Sequence, residues 1–102
     1  MSTLHTINKS PFSHLTLSSC LQVCGKNDGI LLLEDGVFGG LLSAPCAAEL
    51  TTLMEKGVKV YALSPDVKAR GLGEKIRSDI TLTDYNGFVK LSIDHSCVQS
   101  WY

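Results

Sequence analysis

Four consecutive apolar residues, Ile30-Leu31-Leu32-Leu33, constrain the fold more than any other part of the chain. They lie between two turn-forming runs, Asn27-Asp28-Gly29 and Glu34-Asp35-Gly36. A run this short reads as a strand, and its lack of polar alternation reads as burial on both faces. Such strands belong to parallel sheets, in which crossover helices cover the faces. The rest of the chain fits that frame. Leu4-His5-Thr6-Ile7 alternates and reads as a first strand. Pro11 is placed to start a helix over Phe12 to Cys24, with Leu17, Cys20, Leu21 and Cys24 on one face. Pro45 to Glu55 reads as a helix ended by Gly57, and Val58 to Leu63 as a third strand. Ser64-Pro65-Asp66 opens a short helix to Arg70, and Ile80-Thr81-Leu82 is a fourth strand. Thr83 or Asp84 caps a last helix to Asp94, with Tyr85, Phe88, Val89 and Ile93 expected to face inward. Ser96 to Tyr102 is extended or a fifth strand. The prediction is a single α/β domain over residues 1–102. Its four- to five-stranded, mainly parallel sheet carries helices on both faces.

Composition narrows the function. Of 102 residues, 44 % are hydrophobic and 19 % charged, enough to build one core without metal or disulfide staples. A mean hydropathy of +0.15 is high for so small a chain, and predicts apolar surface reserved for a partner. The formal net charge is −1 with no basic run, so direct nucleic-acid binding is not expected. No segment reaches the roughly 18 apolar residues of a membrane helix, and no membrane insertion is expected. Met1 to Lys9 lacks the charged start and apolar block of a secretory signal, so the expected location is the cytoplasm. Cysteines 20, 24, 46 and 97 are then expected as reduced thiols. There is no CxxC, and His5, His14 and His95 are scattered, so neither a zinc site nor any cofactor is expected.

Several features bear on chemistry. Asp35 ends an apolar strand, where a receiver-type domain would hold magnesium or accept a phosphoryl group. Later strand ends supply neither the second acidic cluster nor the lysine such a site needs, so Asp35 reads as a cap or turn residue. Gly36, Gly39 and Gly40 form no phosphate-binding motif and read as close packing. Arg70-Gly71 reads as a helix C-cap, and Cys46 and Cys97 as structural. Cys20 is the one candidate catalytic residue. It lies late in its helix with only Lys26 near in sequence, so any activation has to come from tertiary or partner contacts. Trp101-Tyr102 gives the chain an aromatic end suited to docking.

A set of short runs, in order and spanning nearly the whole chain, resembles the DsrH/TusB family. They are Leu4-His5-Thr6-Ile7-Asn8-Lys9-Ser10-Pro11, Leu31-Leu32-Leu33-Glu34-Asp35-Gly36-Val37, Val60-Tyr61-Ala62-Leu63, Ala69-Arg70-Gly71-Leu72, Asp84-Tyr85-Asn86-Gly87-Phe88-Val89 and Gln99-Ser100-Trp101. The resemblance implies a DsrE-like fold and a cytoplasmic heterohexamer with DsrE/TusD-like and DsrF/TusC-like subunits, two copies of each. It implies relay of persulfide sulfur to a DsrC/TusE-like acceptor. A cysteine in the first helix marks DsrH-type members, so Cys20 points to the DsrEFH branch and sulfur oxidation. The alternative is a TusB-type subunit of the relay for tRNA wobble-uridine 2-thiolation, structural and without chemistry of its own. In both branches the resemblance assigns the main carrier cysteine to the DsrE/TusD-like partner and leaves Cys20 at most a secondary acceptor.

Overall fold

The computed structural model describes all residues, Met1–Tyr102. Its elements are β1 (Thr3–Ile7), α1 (Thr16–Val23), β2 (Gly29–Leu32), a 3₁₀ segment (Glu34–Gly40), α2 (Ala47–Glu55), β3 (Lys59–Leu63), α3 (Ser64–Ala69), β4 (Thr81–Thr83), α4 (Tyr85–Asp94) and β5 (Cys97–Trp101). The five strands form one sheet in the order β4-β3-β2-β1-β5. Every neighbouring pair is parallel. The chain steps outward from β1 to β4, and α4 then carries it back across the sheet to the far side of β1.

The register explains both layers. Ile7, Leu32 and Ala62 stand side by side, with Leu82 and Trp101 completing the row. That face packs on Leu17, Cys20 and Leu21 of α1, Leu50 of α2 and Val67 of α3 in one apolar core. The alternate row runs Ser100, Thr6, Leu31, Tyr61 and Thr81. On this second face lies α4, whose C-cap His95 stands against Gly29. Leu4, Leu31 and Leu63 are fully buried. All four residues of β2 are buried, as a strand sealed on both faces must be.

Local chemistry sets the boundaries. The Asp84 side chain accepts from Gly87 N at 2.8 Å and caps α4. Arg70 ends α3, and Gly71 follows at φ +68°, the left-handed position glycine tolerates best. A Cβ on Gly36 would overlap the Ile7 carbonyl, so the 3₁₀ segment crosses the end of β1 at a distance only glycine permits.

Two expectations are corrected. The first helix starts at Thr16, not Phe12. Ser13 N and His14 N both donate to Ser10 O, closing a turn after Pro11 that leaves Phe12 and Leu15 in solvent. On α4, Tyr85, Val89 and Ile93 are exposed rather than inward. Gly87, Phe88, Leu91 and Ser92, with the C-cap His95, are the half-buried positions. Both sets recur at helical spacing, and only the path of α4 over the sheet selects between them.

Candidate functional site

The candidate site is built at the end of α1, where the helix turns into β2 near the amino ends of the strands. Cys20 lies on the helix face that meets the sheet and has no exposed surface. Cys24 follows one turn later as the C-cap and is half-buried. Burial pushes the Cys20 thiol up to about 12, with further contributions from Cys24 and Asp28. Burial and then the Asp28 charge push the Cys24 thiol up to about 11. Both are therefore protonated near neutral pH, and a protonated thiol is a poor nucleophile. The sequence pattern had placed Cys20 among Leu17, Leu21 and Cys24, and the structure puts it there.

Beside the thiols is a polar chain that sequence reasoning did not identify. The Asp28 carboxylate accepts from Thr3 N, Gly25 N and His5 Nε2, each at 2.9 Å. Burial alone would raise the Asp28 carboxyl, but the bonds from Gly25, His5 and Thr3 hold it below the ordinary carboxylate range. On the other side of the same imidazole, Trp101 Nε1 donates to His5 Nδ1 at 3.0 Å. An indole N–H only donates, so Nδ1 is the acceptor and Nε2 carries the proton directed at Asp28. The C-terminal strand, β1 and the α1–β2 loop are tied together through one buried histidine. The aromatic chain end hinted at docking; nothing in the sequence paired Trp101 with His5.

The remaining candidates separate from this site. Asp35 lies in the first turn of the 3₁₀ segment and accepts from Arg70 Nε at 2.9 Å, a turn residue with its own counter-ion. His5, Cys24 and Asp28 make the one group of three metal-ligating side chains with converging ligand atoms, and Asp35 has no such neighbours. Cys46 is the N-cap of α2 and buried. Cys97 departs from the structural reading: it is exposed on β5, its Sγ 3.1 Å from Thr3 Oγ1. It sits on an edge strand whose outer side has no neighbour. Arg77, not singled out in the sequence, is a buried cation gripped by Asp79 through Nε and Nη2 at 2.7 and 2.8 Å.

The chain resembles the ychN protein of E. coli in its crystal structure, with a TM-score of 0.81 and 15 % identity, covering 98 % of this chain and 99 % of that one. It resembles MTH1491 of Methanobacterium thermoautotrophicum with a TM-score of 0.76 and 13 % identity, covering 97 % of each. At the sequence level it is 40 % identical over 99 residues to Protein TusB of Escherichia coli (strain SMS-3-5 / SECEC), covering 96 % of this chain and 99 % of that one. It is 36 % identical over 98 residues to Protein TusB of Pectobacterium parmentieri, with the same coverage. The family model described as DsrH like protein matches residues 9–98. The chain therefore belongs to the DsrH/TusB family.

Proposed function

We propose that this chain is a TusB-type subunit of a cytoplasmic sulfur-relay complex that serves wobble-uridine 2-thiolation of tRNA. In this reading it shapes the complex while a partner cysteine carries the sulfur. One observation carries the structural role: Cys20 has no exposed surface and its thiol is pushed up to about 12. Persulfide relay needs a thiolate that reaches an incoming sulfane sulfur, then an outer sulfur open to the next thiol. A buried, protonated Cys20 offers neither. The relatives are named TusB, which favours this branch over sulfur oxidation. Exposed Tyr85, Val89 and Ile93 on α4 give the chain apolar surface to place against TusD-like and TusC-like subunits. Two copies of each subunit and a TusE-like acceptor complete the reading.

The second reading is a DsrH-type subunit in which Cys20 accepts sulfur. It rests on the position of Cys20 in the first helix with Cys24 one turn away. The test exposes the assembled complex to a sulfane-sulfur donor and follows each cysteine by mass spectrometry, in wild type and Cys20→Ser. The structural reading expects no added sulfur atom on Cys20 and an unchanged rate of transfer to the acceptor. An added sulfur on Cys20 together with slowed transfer in Cys20→Ser establishes the second reading.

A further inference from the structure

His5, Cys24 and Asp28 come from three different parts of the chain: a strand, a helix end and a loop. Their ligand atoms nevertheless all lie within 4.8 Å of one another. With bonds of about 2.0–2.3 Å, ligand atoms of a tetrahedral zinc site stand roughly 3–4 Å apart. Small side-chain movements therefore close the cluster on an ion. The imidazole and the carboxylate already face each other across a single proton at 2.9 Å. Cys24 caps the C-terminal end of α1, where carbonyl dipoles favour positive charge, and the last turn of that helix carries no basic residue. A thiolate and a carboxylate together balance the charge of a divalent ion.

We propose that His5 Nε2, Cys24 Sγ and the Asp28 carboxylate form a binding site for a borderline divalent metal ion of the zinc type. Thiolate, imidazole and carboxylate suit Zn²⁺ or Co²⁺ better than the hard, oxygen-seeking Mg²⁺ and Ca²⁺. Three protein ligands leave a fourth position for an exogenous group. The protons balance as follows. Cys24 loses its thiol proton to solvent as sulfur binds the ion. The His5 proton moves from Nε2 to Nδ1 as Nε2 binds. An Nδ1–H cannot accept from the Trp101 indole N–H, so the 3.0 Å bond between them breaks and the indole turns away. Metal binding is thus coupled to the C-terminal strand, independently of whether the chain serves sulfur relay.

That coupling supplies the readout, because Trp101 is the only tryptophan. The full-length chain is titrated with Zn²⁺ by calorimetry, with Trp101 emission followed in parallel. Co²⁺ is the optical probe for a thiolate–metal charge-transfer band. The expected result is one ion per chain, a changed Trp101 emission at saturation and a thiolate–cobalt band. Cys24→Ser should abolish the band and weaken zinc binding by more than the roughly 10–100-fold typical of losing an outer-shell partner. Trp101→Phe, which frees Nδ1, should bind zinc more tightly than wild type, and Cys46→Ser should bind as wild type. No zinc uptake, uptake unaffected by Cys24→Ser, or saturation without a change in Trp101 emission each overturns the proposal. Cys24 is half-buried at a helix end, so Cys24→Ser is expected to fold, and circular dichroism in the same series checks this.

Discussion

Each cysteine has a different environment, and the four should differ in chemistry accordingly. Cys97 is exposed, Cys24 half-buried, and Cys46 and Cys20 buried. Alkylation of the native chain near neutral pH should label Cys97 first and Cys24 more slowly. Cys20 should react only at the rate of global opening, because both its burial and its raised pKa suppress the thiolate. Peptide mapping after timed labelling checks the order. Early labelling of Cys20 would mean that α1 opens locally. Arg77 and Asp79 set a second residue-scale expectation. The hydrogen bonds from Arg77 hold the Asp79 carboxyl below its ordinary 3.8. A lowered folded-state pKa adds stability that is complete above the unfolded value and is lost as pH falls through the folded one. The chain should therefore lose this contribution below about pH 4. Urea midpoints measured across that range should fall less steeply in Asp79→Asn than in wild type.

At the scale of elements, α4 is the least anchored helix, because it has no fully buried residue. It is held by its half-buried face and by the cap from Asp84 to Gly87. Asp84→Ala should cost about 1 kcal/mol of stability, within the usual range for losing an N-cap. Urea denaturation measures this, and faster hydrogen exchange in the first turn of α4 localises it. The 3₁₀ segment behaves differently, because its anchor is backbone against backbone. Gly36→Ala places a methyl group on the Ile7 carbonyl, so the backbone of the segment or of β1 must shift to admit it. The expected cost is about 1–3 kcal/mol, the range for overpacking a tight site. A variant of wild-type stability would show that the segment shifts freely over β1.

At the scale of the molecule, the two faces of the sheet are unequal. One carries α1, α2 and α3 over a continuous apolar core, and the other carries α4. The outer side of α4 shows Tyr85, Val89 and Ile93 to solvent, with Leu82 and Val98 exposed on the two edge strands. Obligate interfaces have apolar centres and commonly bury more than about 2,000 Å². Expressed alone, the chain should self-associate in sedimentation, and with both partner subunits it should co-purify in fixed proportion. Val89→Glu should leave monomer stability within about 0.5 kcal/mol, as exposed substitutions do. Its effect should fall on co-assembly. A Val89→Glu chain that still co-assembles would remove this stripe from the interface.

The sequence by itself determined the elements and the family. The run Ile30–Leu33 pointed to a strand sealed on both faces, and so to a parallel sheet; the strand is Gly29–Leu32, with Leu33 half-buried just past its end. Arg70-Gly71 marked a helix end, and the spacing of Leu17, Cys20 and Leu21 buried the candidate thiol. These are local facts, fixed by backbone hydrogen bonding and side-chain periodicity within a few residues. The tertiary structure decided which stripe of α4 meets the sheet, that Cys97 is exposed, and that Arg77 is a buried cation. It alone brought Trp101 to His5, 96 residues away, and both His5 and Cys24 to Asp28. No pattern in the chain encodes the meetings of His5 with Trp101 and with Asp28, because they depend on the order in which the strands pair. Only when β5 returns beside β1 does the single tryptophan reach the first histidine.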